Sequence, residues 1–364
     1  MRDLNVALAR IIDQVHAAHS SGRPLEIRGD GSKHFYGEPA LGEILDISPF
    51  TGITSYEPTE LVVTARAGTP LTELEATLQQ CGQSLPFEPP RFAGRGTVGG
   101  MVAAGLAGPA RACVGSVRDH VLGMTVLNAG GDLLTFGGQV AKNVAGYDVS
   151  RLMVGALGIL GVICEVSLKV LPTPVATATC AYDCSETEAL RRLNAWRSNP
   201  LPIDAISWHD DVLCVRFAGA KAAVIEARRN LGGREIAAQS AQSWWTALRD
   251  HRHEYFNLSQ EELQRGECLW RLSVRASAAS LSMPGRQLIE WQGAQRWCRT
   301  QAPAHEVRAA ATLAGGHATL MRAASKSAGV FTPLSEALMR VHRRLKQAFD
   351  PNRIFNRGRM YAEL

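Results

Sequence analysis

Polar and apolar positions change their spacing along this chain, and the changes mark its elements. Residues 162–170 alternate strictly: Val162, Cys164, Val166, Leu168 and Val170 share one face, while Glu165, Ser167 and Lys169 point away. A period of two predicts a strand, and its polar face predicts an antiparallel sheet with one side in water. Upstream, residues 121–127 and 133–136 flank Asn128-Ala129-Gly130-Gly131, which predicts a hairpin. Residues 5–19 read as an N-terminal helix, and residues 24–28 and 61–65 as strands. Thr69 then reads as the cap of a helix with Pro70 at its first position and Gly82 beyond its end. The first hundred residues thus predict a small βαβ-like lobe with a glycine loop after its first strand.

Pro172-Thr173-Pro174 marks a boundary. Beyond it, residues 186–197 and 220–231 read as helices, and residues 212–217, 269–274 and 287–291 as strands. Near the end, Thr332-Pro333 opens a helix with Leu334, Leu338, Val341 and Leu345 on one stripe, which Asp350-Pro351 closes. The expected class is α+β, with a first domain over 1–174, a second α+β domain over 175–330 and a C-terminal segment over 331–364.

Composition narrows the function classes. A chain of 364 residues with 46% hydrophobic and 20% charged residues has the make-up of a globular protein with more than one core. Its net charge of +5 is spread along the sequence, so it suits an anionic ligand but makes no case for nucleic acid. Residues 152–163 form the most apolar stretch, about half the ~20 residues of a membrane-spanning helix. The start, Met1-Arg2-Asp3-Leu4-Asn5, has no signal-peptide pattern. Together these lead to the expectation of a cytoplasmic protein without direct membrane insertion. The eight cysteines include no CxxC pair. That argues against an iron–sulfur cluster or structural zinc on this chain and for reduced, mostly buried thiols. The pairs His16/His19 and His251/His253 read as solvated helix-face residues, so no metal site is expected.

Two glycine-rich segments carry the candidate chemistry. Gly94-Arg95-Gly96-Thr97-Val98-Gly99 fits GxGxxG, with Asp119 twenty residues further on. A dinucleotide motif of that kind should follow a buried strand. Here Phe87-Glu88-Pro89-Pro90-Arg91 precedes it, and paired prolines break a sheet ladder. Gly29-Asp30-Gly31-Ser32-Lys33 is not a phosphate-binding GxxxxGK loop. Yet a glycine turn can expose successive N–H groups, and Arg28 and Lys33 add positive charge.

In sequence order, Arg28-Gly29-Asp30-Gly31-Ser32-Lys33, Thr97-Val98-Gly99-Gly100, Gly115 with Arg118 and Asp119, Lys142-Asn143 with Gly146-Tyr147-Asp148, and Gly161-Val162-Ile163 fall in one series. The series resembles the FAD domain of the vanillyl-alcohol oxidase and para-cresol methylhydroxylase (PCMH-type) superfamily over about residues 20–175. It returns at residues 349–359, where Asn356 stands. Gly315-Gly316-His317-Ala318 and Trp291-Gln292-Gly293-Ala294 extend the likeness to the family of FAD-binding E subunits of bacterial glycolate oxidase.

This resemblance implies a two-lobed PCMH-type FAD domain, a cap, and a C-terminal return to the FAD domain. It implies FAD held by the residues just named, in a complex with a larger FAD-bearing D-type subunit and an iron–sulfur F-type subunit. The substrate would be a small 2-hydroxy acid, and the complex could sit peripherally at the inner membrane through its partners. Superfamily members that tether FAD through the first loop place a histidine where the resemblance sets Lys33, so noncovalent FAD is expected. The two glycine turns are expected to offer N–H donors to the pyrophosphate from opposite sides. For catalysis, His317 is the candidate base and Arg322 the candidate carboxylate clamp. Relatives carry a His-x-x-Gly-Asp-Gly-Asn-type segment in the cap that this chain lacks. Two other readings therefore stay open: a non-catalytic flavin electron-transfer or assembly subunit, and a stand-alone FAD-dependent 2-hydroxy-acid dehydrogenase or sugar oxidase.

Overall fold

The computed structural model describes residues 2–138 and 147–364. The N-terminal helix spans Arg2–Ser21 and lies beside a two-stranded parallel pair, Leu25–Arg28 with Glu43–Asp46. A five-stranded sheet follows, in the order Ile53–Glu57, Val62–Arg66, Val162–Lys169, Val121–Leu127, Leu133–Gly137. Every neighbour in it is antiparallel, so the GxGxxG stretch opens no parallel βαβ unit.

The strand Val162–Lys169 sits in the middle of that sheet, and its expected wet face is only partly so: Glu165 and Lys169 stay half-buried, while Ser167 does not reach water. Ser167 is buried and shares a 2.8 Å hydroxyl hydrogen bond with Thr64, so a polar residue on the outer face is satisfied by its cross-strand partner instead of water. Pro70 precedes the helix Leu71–Gln80 as its cap residue, and the Thr69 hydroxyl bonds to Gly52 instead of capping.

Residues 176–322 build an eight-stranded antiparallel sheet. Its order is Arg234–Ile236, Ala176–Asp183, Val212–Gly219, Ile203–His209, Arg286–Glu290, Gln295–Thr300, Cys268–Ser273, His317–Arg322. The strands Ala176–Asp183, Ile203–His209, Gln295–Thr300 and His317–Arg322 were not expected, because each mixes small, charged and apolar residues without clean alternation. One face of this sheet packs on the first part of the chain. Phe92, Ala104, Leu106 and Leu157 from one side join Leu248, Leu269, Trp297 and Met321 from the other in a single buried cluster.

Polar ties lock the seam. Arg216 reaches Glu88 at 2.8 Å and Asp204 at 2.5 Å, the Arg91 N–H donates to Asp250 at 2.9 Å, and Trp291 Nε1 donates to the Gly108 carbonyl at 2.9 Å. His251, expected on a solvated helix face, stacks on Phe256 at 4.2 Å in this seam.

The last helix is Glu336–Phe349, capped by the Ser335 hydroxyl. Its inward residues are Met339, Leu345, Lys346 and Phe349, so Leu345 of the expected apolar stripe faces the core, whereas Leu338 and Val341 are about half exposed. The reason is a buried ion pair: Lys346 Nζ donates to Asp350 at 2.8 Å and to the carbonyls of Ile159 and Phe355 at 2.7 and 2.8 Å. That pairing turns Leu338 and Val341 outward while Leu345 stays on the core. Cys164, Cys180, Cys214 and Cys298 are buried, but Cys81 and Cys113 are exposed, so the thiols are less uniformly buried than expected. Among the described residues, no helix is long and apolar enough to cross a membrane.

Candidate functional site

A cleft of about 850 Å³ opens between the small parallel pair and the five-stranded sheet. Its wall contains Arg28, Gly29, Asp30, Gly31, Ser32 and Lys33 from the first turn, Thr97, Gly99 and Gly100 from the second, Gly161 and Ile163 from the central strand, and Asn356 from the tail.

The first turn forms because Gly31 takes φ +75°, a conformation that costs other residues more, and because Asp30 accepts the Ser32 N–H at 3.0 Å. As a result the N–H groups of Gly29, Asp30 and Gly31 have no acceptor among the described residues. Successive unpaired N–H groups on a turn form an anion-binding concavity. Ser32 Oγ and Lys33 Nζ are likewise buried without a partner. Burial lowers Lys33 to about 8, against the opposing pull of Asp30 and Asp250.

The second turn behaves differently from expectation. Val98 N–H is taken by the Thr69 carbonyl at 2.9 Å, Gly99 N–H by the Ala67 carbonyl at 2.8 Å, and Gly100 N–H by Thr97 Oγ1 at 3.2 Å. Those donors hold the turn to the neighbouring strand end, and of the four only the Thr97 N–H lacks an acceptor among the described residues. The contribution of this turn is close approach. A Cβ on Gly29 would stand 2.5 Å from Thr97 Oγ1, so the two turns meet because glycine occupies that position. Val98 and Val162 point into the core and do not line the cleft.

Arg28 also departs from expectation, since its guanidinium is engaged by Glu26 at 2.6 and 2.9 Å. Gly115, Arg118 and Asp119 lie outside the cleft wall: Asp119 accepts the Ser116 N–H at 2.7 Å in a helix capping box, which holds its carboxyl below the usual range. Asp148 caps the helix Val149–Met153, and Tyr147 is 94% exposed. Lys142, Asn143 and Gly146 lie outside the described residues.

Asn356 brings the chain end into the site. Its Oδ1 accepts the Ile27 N–H at 2.7 Å and its Nδ2 donates to the Leu157 carbonyl at 2.6 Å, so the tail braces both walls. Sequence reasoning missed Tyr36 and Arg359, which also line the cleft. Arg359 donates to the carbonyls of Glu38 and His34, 2.5 and 2.8 Å away, and so fixes the loop that follows the first turn. No local pattern signals either residue, because each acts through a partner distant in sequence. His317 and Arg322 begin and end one cap strand and are not in the cleft wall. His317 is exposed at the strand start and lies below its ordinary pKa through desolvation and the nearby Arg271.

Fold and cleft together define a two-lobed protein built to hold a long anionic cofactor between glycine turns. Residues 8–137 match the family model of the FAD binding domain. The chain is 46% identical over 354 residues to the glycolate oxidase subunit GlcE of Escherichia coli (strain K12), with 97% of each covered. It is 30% identical over 158 residues to the glycolate oxidase subunit GlcD of Bacillus subtilis (strain 168), across 43% of this chain and 33% of that one. Among solved structures, alkyldihydroxyacetonephosphate synthase aligns with a TM-score of 0.62 at 15% identity, covering 96% of this chain and 75% of that chain, a likeness of fold. The chain belongs to the glycolate oxidase subunit GlcE family, and its cofactor is FAD.

The residues present fit that group. Three unpaired N–H groups, the unpartnered Ser32 Oγ and the unpartnered Lys33 Nζ suit a pyrophosphate, and Ile163, Leu157 and Ala104 provide an apolar wall for a flat ring system. Because an anion favours protonated Lys33, FAD affinity is expected to be level below pH 8. Above that, binding must also take up a proton, and affinity should fall by up to about tenfold per pH unit. Fluorescence titration of FAD against the chain and Lys33→Met from pH 6.5 to 9.5 checks this: the variant should bind more weakly at pH 7 and show a flat profile.

Proposed function

We propose that this chain is the FAD-binding subunit of a glycolate oxidase complex, which oxidises glycolate to glyoxylate and passes electrons to an iron–sulfur partner subunit beside a larger FAD-bearing subunit. The observation that carries the reading is the nest of unpaired N–H groups at Gly29–Gly31 facing Thr97, in a chain that matches a glycolate oxidase subunit over 97% of its length. FAD, when bound, supplies the acceptor for the substrate's hydride equivalent. The chain's own residues do the rest. The glycine turns and Asn356 place the cofactor, the cap sheet packs against Phe35 and Tyr36 beside the cleft, and His317 is the base for the hydroxyl proton, its lowered pKa keeping the imidazole neutral and able to accept. The FAD is held without a covalent bond, so yellow colour should leave the protein on acid precipitation.

Anaerobic addition of glycolate to the FAD-loaded chain tests the catalytic part. Bleaching of the flavin absorbance, lost in His317→Ala, is the expected result. Absence of bleaching from the chain alone, with activity only after partner subunits are added, would transfer the chemistry to a partner and leave FAD binding standing.

A further inference from the structure

At the seam between the cleft and the cap sheet, positive charge gathers without a counter-charge. Arg271 lies on the strand Cys268–Ser273 and Arg322 on its neighbour His317–Arg322. The register explains how both reach one face. Trp270 pairs with Leu320 but Leu269 with Arg322, so Met321 is an extra residue and a bulge turns the Arg322 side chain with it. Bulges of this kind re-aim side chains and recur beside sites.

Arg271 donates one bond, from Nη2 to the Tyr36 hydroxyl at 3.1 Å, and its buried Nε has no partner. Arg322 lies over the Phe35 ring at 4.6 Å. Neither has a carboxylate within ion-pair distance among the described residues, although the protein pairs Arg216, Arg249 and Arg299 with acids. A chain of ring contacts links Phe35 to Phe92 at 4.8 Å and Phe92 to His251 at 5.1 Å, and His251 Nδ1 is enclosed without a partner. Burial first, and then Arg322 and Arg271, push the His251 imidazole down to about 3 and keep it neutral. It therefore stands as a neutral donor or acceptor and adds no charge.

Two guanidinium groups, partly removed from water and unopposed by acid, cost free energy that an anion would recover. Tyr36, which Arg271 touches, also lines the FAD cleft, so an anion here would stand next to the cofactor. The pyrophosphate nest lies on the first turn, and Lys33, the cation of that turn, faces Asp30 and Asp250. We propose that Arg271 and Arg322, steadied by Tyr36 and Phe35, form a subsite for the carboxylate of a small 2-hydroxy acid at the seam between the FAD lobe and the cap. This deepens the functional reading above and rests on it for the identity of the acid. A planar carboxylate can be held by paired guanidinium N–H donors.

Oxalate, a dicarboxylate with no hydrogen to give, probes the subsite without turnover. Calorimetric titration of oxalate into the full chain, with and without FAD, should show one site. Arg271→Gln and Arg322→Gln should each weaken it at least about 30-fold, the loss expected when one partner of a desolvated charged pair is removed. Arg271→Lys should recover part of the affinity, and FAD affinity should change less than about threefold in all three variants, given that truncation effects at separate sites are nearly independent. Unchanged oxalate affinity in both glutamine variants would overturn the proposal. So would inorganic phosphate binding as tightly as oxalate, or a parallel loss of FAD. If oxalate binds through the arginines while the chain takes no FAD, the functional reading fails and the subsite stands. If FAD binds and oxalate does not, the subsite alone fails.

Discussion

Lys346→Met is expected to lower the unfolding free energy by about 3–5 kcal/mol, the cost of leaving one member of a buried ion pair alone. Lys346 Nζ is enclosed and makes three bonds, one of them to Asp350, which is itself fully buried. Asp350 in turn accepts the N–H groups of Ile354 and Phe355 at 3.0 and 2.8 Å. Those two bonds aim the following residues at the strand Leu25–Arg28, where the Leu25 N–H donates to the Ile354 carbonyl at 2.6 Å. Loss of the ammonium therefore strands a carboxylate in the core and loosens the tail that delivers Asn356 to the cleft. Urea unfolding followed by far-ultraviolet circular dichroism measures the effect, and Lys346→Met/Asp350→Asn should recover part of the loss, because it removes both charges and keeps a carbonyl oxygen for the Ile354 and Phe355 N–H groups. An unfolding midpoint equal to wild type in the single variant would show that the pair contributes nothing.

The second large effect falls on the cofactor. Gly29→Val should weaken FAD binding by about 10- to 100-fold, since overpacking costs about 1–3 kcal/mol and each 1.4 kcal/mol is a factor of ten. The added carbon would meet Thr97 Oγ1 at 2.5 Å, and that oxygen is not free to swing away, because it accepts the Gly100 N–H as the cap of the helix Val98–Ala104. The strain must separate the two turns or uncap the helix. Titration of FAD fluorescence reads the affinity, and Gly29→Val/Thr97→Ser, which removes the methyl but keeps the cap oxygen, should restore only a minor part. An affinity within threefold of wild type would mean the turns are not held together where the cofactor sits.

Much of the first domain is legible in the amino-acid sequence. The hairpin around Asn128–Gly131, the strand through residues 162–169 and the turn at Gly29–Lys33 carry local signals: turn residues, β-branched alternation, and glycine where φ must be positive. The rejection of the GxGxxG stretch as a parallel-sheet motif also follows from neighbours in sequence, the paired prolines before it. The cap is harder to read. Its strands Gln295–Thr300 and His317–Arg322 contain arginines at buried or half-buried positions, and a buried charge reads from sequence as a surface one. The last helix misleads for the same reason, since Lys346 points inward while Leu338 points out.

Two features follow from the order of residues alone, an anion-binding glycine turn after the first strand and an antiparallel sheet behind it; a third, a chain end that returns to the turn, is what the family resemblance implies. The turn and the sheet are consequences of local backbone preference and of periodicity, which each segment carries in itself, and the return rests on the motif at residues 349–359. Which N–H groups remain free is set by the folded arrangement, because Thr69 and Ala67 claim the donors of the second turn. The same arrangement spends Arg28 on Glu26 and leaves Arg271, unmarked in the sequence, without an acid. Whether a charge or a donor is available depends on what the fold brings against it, and most of those partners lie tens to hundreds of residues away along the chain.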